Sequence, residues 1–359
     1  MKAVLRRGRE LVEGEIAEPV PQAGQVLAKT LVCGICGSDL HALHHLDHLL
    51  DLNRRAGAPD NVDPAAVIVF GHEFSAEILD HGPGTSGALK AGTHVVSMPL
   101  AIGPQGVETV GYSNRFPGGF AERIVLQEDL LLPVPNGLSA EAAALVEPMS
   151  VGEHAVNQAS PAADSVCLVI GCGPVGLAVI AALKRRGLGP VVASDFSASR
   201  RRMAERMGAD IIVDPAQSSP HAHWEDFDVP ANMASFGAAS LSGRHRRDAI
   251  IFECVGVPGL IQNLIQSAPP TARLVVVGVC MEDDQFQPSL AITKQLRIDF
   301  SYAYDAAEFA ATLHNIAEGH IDVQPLISGT TGRSGVADAF RALGEKDGPV
   351  KILVNPALA

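Results

Sequence analysis

The chain has 359 residues, 47% of them hydrophobic, with 27 Lys and Arg against 40 Asp and Glu for a formal charge of −13. That length suits two domains, each large enough to bury a core, and the composition is that of a globular protein, not a disordered one. The densest basic spot is Arg200, Arg201 and Arg202 beside Glu205, so nucleic acid and an anionic membrane surface are not expected as partners.

The opening MKAVLRRGRELVEGE holds no apolar segment of signal-peptide length. Residues 1–150 read as short β-branched strands punctuated by Gly and Pro, among them AAVIVF, HVVSM and RIVL. Residues 43–66 interrupt them as a polar, His-rich insertion. A solvated loop is the reading preferred for its His44, His45 and His48, with a second metal on a helix face as the sharper alternative. Lying beside the Cys-containing motif, this insertion is expected to shape access to it.

From about Asp164 the texture changes to alternation. VCLVIG, PVVASD, IIVD, AIIFECVG and ARLVVVGV read as strands; PVGLAVIAALKRRG and SASRRRMAERMG read as helices ending at Gly187 and Gly208. Apolar strands alternating with helices imply an α/β unit whose parallel sheet is covered on both faces. The uncharged run 166–183 is long enough to span a bilayer, but three glycines and a proline divide it into a strand and a helix. Residues 215–247, which include the only tryptophan, Trp224, lack periodicity and are expected as a surface loop. The tail carries a helix, DAAEFAATLHNIAEG, and a last strand, VKILV. Six cysteines without a secretion signal read as cytosolic thiols.

Gly171-x-Gly173-x-x-Gly176 follows a strand and opens a helix, the setting in which this motif binds a dinucleotide. Gly171 permits the turn, Gly173 lets the backbone approach a pyrophosphate, and Gly176 lets helix and strand pack closely. The first helical residues, Val175 among them, offer amides and positive potential. Asp195 lies 19 residues beyond Gly176, at the end of the second strand, where an acid holds the adenosine ribose and disfavours a 2′-phosphate. NAD is therefore expected over NADP, with Arg200 placed to contact the ribose or to attract that phosphate.

Cys36 in CGICGSDLH, His72 and Glu73 in GHEF, and Glu147 in LVEPMSVG are the residue types a catalytic zinc takes. A redox Cys-x-x-Cys lacks its βαβ setting here, and a zinc ribbon lacks its second Cys pair. On spacing alone the metal reading stays open.

Taken in order, CGICGSDLH, GHEF, GGFAE at residues 118–122, EPMSVG and the Gly-rich unit resemble the zinc-containing alcohol dehydrogenases of the medium-chain dehydrogenase/reductase superfamily. The sorbitol and threonine dehydrogenase branch is the nearest, through EP-x-S-V-G. The resemblance implies a mostly-β GroES-like catalytic domain from residues 1–153 and 299–359 around a Rossmann NAD-binding domain of residues 154–298. It implies Cys36 and His72 as zinc ligands, Glu147 as third ligand or water partner, and Glu73 as a transient ligand or a neighbour of the ligands. Cys33 takes no ligand role. Ser38 would bond the substrate oxygen, His41 would pass its proton to solvent, and the backbone at Val277 and Val279 would hold the nicotinamide carboxamide.

The implied activity is the reversible, NAD-dependent oxidation of a secondary alcohol or polyol to a ketone, by a cytoplasmic homo-oligomer, a dimer or tetramer. Relatives carry four cysteines for a structural zinc around positions 95–112, where this chain reads VVSMPLAIGPQGVETVGYSN. One zinc per chain is therefore expected. The alternatives are a zinc-free quinone or enone reductase of the same fold and a dinucleotide-binding protein without catalysis.

Overall fold

The computed structural model describes residues 1–59 and 62–359. The backbone divides into two compact units, Met1–Pro148 with Phe309–Ala359, and Met149–Glu308.

The first unit is built on a seven-stranded sheet. Its central strand, Gln25–Gly34, pairs antiparallel with Glu73–His81 on one side. The C-terminal strand, Lys351–Val354, also pairs antiparallel with it, setting Leu353 opposite Gly34. Gly34 in turn lies opposite Glu73. Gly34 and Glu73 from the first quarter of the chain and Leu353 from its end are thus brought into one row of the sheet. The faces close over a core that includes Phe70, Phe74, Phe120, Ile124 and Phe340. Strands Leu100–Gly103 and Gly106–Thr109 form a separate hairpin.

AAVIVF, expected as a strand, is not one. Only Ile68 makes an isolated bridge, to Arg6, and Ile68, Val69 and Phe70 are buried as irregular backbone. Their burial produced the β-like pattern without a ladder. The loop expected at residues 43–66 is also corrected: Gly37–Arg55 is one helix, kinked at His45 (φ −131°, ψ 31°). Leu40, Leu43, Leu46 and Leu50 recur at helical spacing and pack on the core, while His41, His44, His45 and His48 face outward. Asp60 and Asn61 of the same stretch lie outside the described residues.

The second unit holds a six-stranded parallel sheet. Its strands are Val166–Ile170, Val191–Ser194, Ile211–Val213, Ala249–Glu253, Arg273–Val276 and Arg297–Phe300. Counted in chain order within the unit, they lie three-two-one-four-five-six across the sheet, the doubly wound order of dinucleotide-binding folds. The run 166–183 divides as expected into the strand Val166–Ile170 and the helix Pro174–Arg185. Among the described residues no helix is long and apolar enough to cross a membrane. The loop expected at 215–247 needs revision, because it contains a helix, Met233–Ser242, capped by Asn232 and ended by Gly243. Trp224 is buried with Val229 in the unit's core. The stretch is an elaborated edge of the core, not a free surface loop.

Candidate active site

The first unit gathers the metal-type side chains. The ligating atoms of Cys36, His72 and Glu73 all lie within 4.8 Å of one another. Cys36 caps the helix Gly37–Arg55. Its amide donates to Asp39 Oδ2 at 3.0 Å, and Asp39 is fully buried. Asp39 Oδ1 stands 3.4 Å from His72 Nδ1, a charge contact only, since that buried nitrogen has no hydrogen-bond partner among the described residues. Burial disfavours the His72 imidazolium, but Asp39 and then Cys36 outweigh it and hold its pKa well above the usual value.

Glu73 is buried and faces Lys351, whose Nζ lies 2.6 and 2.8 Å from the two carboxylate oxygens and donates to the Ile35 carbonyl at 2.9 Å. Burial works against the Lys351 ammonium; Glu73 and then Cys36 raise its pKa in spite of it. The thiol, imidazole and carboxylate so assembled are zinc donors in type and number, leaving a position for water or substrate. Glu147 stands outside this group of three; its charge is felt at Lys351.

Cys33 is enclosed. Its sulfur fills the space beside Gly71 and Gly119, and burial first, then Asp39 and Glu73, push its thiol well above the ordinary pKa. Ser38, in the first helical turn, lies 2.9 Å from the Tyr112 hydroxyl, which is also 2.9 Å from Asp39 Oδ1. Tyr112 is itself raised in pKa, by burial first and then by Asp39 and Cys36. His41 is exposed; partial desolvation and then His45 lower its pKa.

The Gly-rich turn belongs to the second unit. A Cβ on Gly176 would collide with the Gly171 carbonyl, so helix and turn can approach this closely only through glycine. Gly173 caps the helix Pro174–Arg185 with no side-chain acceptor on its first amides, Val175 included, which leaves them for an anion. Asp195 follows the second strand. Its oxygens accept from the amides of Cys172 and Ser197, each at 2.7 Å, and a carboxylate keeps further lone pairs for a ribose. Arg201 is committed to Asp214 and to the Asp195 and Phe196 carbonyls. Arg200 Nε is buried without a hydrogen-bond partner. Val277 and Gly278 donate their amides to the Glu253 carbonyl, and the Glu253 carboxylate accepts from Val255 and Gly256. Val279 is exposed.

Residues 22–136 match the alcohol dehydrogenase GroES-like domain and residues 174–318 the zinc-binding dehydrogenase family. The (R,R)-butanediol dehydrogenase of Bacillus subtilis is 31% identical over 95% of each chain. The sorbitol dehydrogenase of the same organism is 27% identical over 99% of this chain and 96% of its own. The crystal structure of the B. subtilis 2R,3R-butanediol dehydrogenase superposes with a TM-score of 0.78 at 29% identity, covering 99% of both chains. With its doubly wound unit and its Cys–His–Glu cluster, this chain belongs to the zinc-containing alcohol dehydrogenase family of the medium-chain dehydrogenase/reductase superfamily, in its sorbitol dehydrogenase-like branch. It is an oxidoreductase that uses zinc and a nicotinamide cofactor.

Three residues at the cluster escape a reading of the sequence by motif. Asp39 left a signal in its capping-box spacing from Cys36. Lys351 left another, as a lone cation in the apolar strand VKILV. Tyr112 left none, because only the fold brings it to Ser38.

Proposed function

We propose that the chain oxidises a secondary alcohol or polyol to the ketone, reversibly and with NAD, using one zinc ion per chain held by Cys36, His72 and an acid, Glu73 or Glu147. The observation that carries this reading is the convergence of a partly buried thiol, a buried imidazole and a buried carboxylate beside Ser38. The single-ion count is supported by the cysteine-free hairpin, where Glu108 and Ser113 are bonded to each other at 2.5 Å. The binding of NAD is supported by Asp195, with Arg200 as a further contact to the ribose. The Gly171–Gly173–Gly176 turn and Val175 would take the pyrophosphate, and the backbone at Val277 and Val279 the carboxamide.

Bound zinc supplies Lewis-acid polarisation of the alcohol oxygen, and the bound nicotinamide supplies the hydride acceptor. The chain's own residues supply orientation and proton handling. Asp39 holds Cys36 through its amide and attracts His72 by charge. Ser38 Oγ accepts the hydrogen of the substrate hydroxyl. His41, whose pKa partial desolvation and then His45 lower, takes the proton on to water. Homo-oligomers in the cytosol, dimers or tetramers, fit the six free thiols and the singly paired edge strand Arg297–Phe300.

The test is a panel of secondary alcohols and polyols followed by NADH absorbance, with and without a chelator. Turnover that the chelator abolishes is expected, with Cys36→Ser losing metal and activity and Cys33→Ser keeping both. Chelator-insensitive reduction of quinones or enones would instead identify a zinc-free reductase, and NAD binding without turnover a dinucleotide sensor. Asp195→Gly is expected to weaken NAD and relax discrimination against NADP.

A further inference from the structure

The geometry points to Tyr112 as a positioning residue for Ser38, fixing the serine hydroxyl so that it meets the substrate as a hydrogen-bond acceptor. This rests on the dehydrogenase reading above. Tyr112 comes from the segment that lacks cysteines, which approaches the cluster through a tight contact. Gly111 has a φ of +91°, and a Cβ there would meet the Gly71 backbone at 3.0 Å, so the turn after the hairpin lies against the residue before His72. The Tyr112 ring packs between Phe70 and His72, with centroid separations of 5.7 and 5.3 Å. The ring is held in place, and its hydroxyl is held with it.

That hydroxyl has two polar neighbours, Ser38 Oγ and Asp39 Oδ1, each at 2.9 Å. A phenol carries one hydrogen, and a carboxylate only accepts. Oδ1 must therefore receive the Tyr112 hydrogen, and the Ser38 hydrogen must point to the Tyr112 oxygen. With its hydrogen held there in the resting enzyme, Ser38 presents lone pairs to the pocket and can accept from an alcohol O–H, releasing its own hydrogen toward His41 only as the substrate proton arrives. Without Tyr112 the hydroxyl turns freely, and part of the serine population meets the alcohol as a competing donor. A phenylalanine keeps the ring packing but loses this control together with the hydrogen bond to Asp39 Oδ1.

The experiment is a double-mutant cycle of Tyr112→Phe with Ser38→Ala, read on the best substrate of the panel. Removing the Tyr112 hydroxyl, and with it the bonds to Ser38 and Asp39, is expected to lower kcat about tenfold through the serine, with zinc content and the KM for NAD unmoved. In the Ser38→Ala background the same change is expected to cost less than about twofold, since the serine it acts through is gone. Equal losses in both backgrounds, no loss in either, or loss of zinc with Tyr112→Phe would each overturn the assignment.

The same four proteins unfolded in urea supply a readout without turnover. The drop in midpoint caused by Tyr112→Phe is expected to be smaller once Ser38 is alanine, and equal drops would overturn the bond. A wild-type protein inert on every alcohol sinks the dehydrogenase reading separately, and the urea cycle then decides the Tyr112–Ser38 contact.

Discussion

Glu73 and Glu108 are both buried acids of the first unit, and each crowds a glycine: a Cβ on Gly34 would strike the Glu73 carboxylate, and one on Gly103 that of Glu108. Their compensation differs. Glu73 faces a buried ammonium, Lys351, across the centre of the sheet, beside Cys36 and His72. Glu108 faces a hydroxyl, Ser113, and its nearest cation is the half-exposed Arg115 at 3.8 Å. At the cluster, a full charge pair keeps an anion within reach of the metal-type ligands. In the hairpin, a short hydrogen bond satisfies the acid, and no second charge is buried to do so. The same residue type serves a site in one place and a fold in the other.

The largest effect should come from breaking the charged arrangement. Lys351→Met leaves Glu73 buried without its cation and is expected to cost about 3–5 kcal/mol of unfolding free energy, measured by denaturant titration. A loss below about 1 kcal/mol would mean that Glu73 finds water or another partner. The cost depends on pH in a defined direction. The folded pKa of Lys351 is raised above its ordinary 10.5, so the stabilisation is complete below pH 10.5 and fades as pH rises through the folded value. The stability gap between wild type and Lys351→Met should therefore close in strongly alkaline buffer.

The two glycines sharpen the contrast at intermediate size. Gly34→Ala drives a methyl into a carboxylate that Lys351 grips from the other side, on a central strand, and about 2–3 kcal/mol is expected from such overpacking. The metal-type cluster should be displaced with it, so cobalt or zinc affinity should drop together with stability. Gly103→Ala meets an acid at a hairpin rim, where Glu108 can swing toward Arg115, and about 1 kcal/mol or less is expected. Equal costs for the two alanines would show that the charge pair adds no rigidity.

How much of this could be read without coordinates depended on whether a signal was local. The Gly171–Gly176 turn, the helix that follows and Asp195 are set by neighbours in sequence, so motif and periodicity sufficed. Cys36, His72 and Glu73 carried recognisable motifs, yet their convergence depends on strand register: Gly34 opposite both Leu353 and Glu73 is what delivers Lys351 to the acid. No spacing rule links residues 278 apart. The helix Gly37–Arg55 was hidden for a different reason, since its four outward histidines dominate the composition while a narrow leucine stripe does the packing. Glu108 carries no local signal, because an acid in GVETV reads as a solvent-facing strand residue until the fold buries it against Ser113.

The smallest effect should come from Glu108→Gln. The amide keeps an acceptor for the Ser113 hydroxyl and loses only the negative charge, whose cation, Arg115, is half exposed at 3.8 Å. Exposed or partly exposed pairs of this kind contribute about 0–1 kcal/mol, and the surviving hydrogen bond to Ser113 limits the rest. Ser113 goes on accepting from the Arg115 and Phe116 amides at 3.0 and 3.2 Å, so the turn that carries Tyr112 should hold its shape. Denaturant titration should thus register at most about 1 kcal/mol, with zinc content unchanged. A loss near that of Lys351→Met would mean that the charge itself holds the hairpin, and the two buried acids would then be doing the same job.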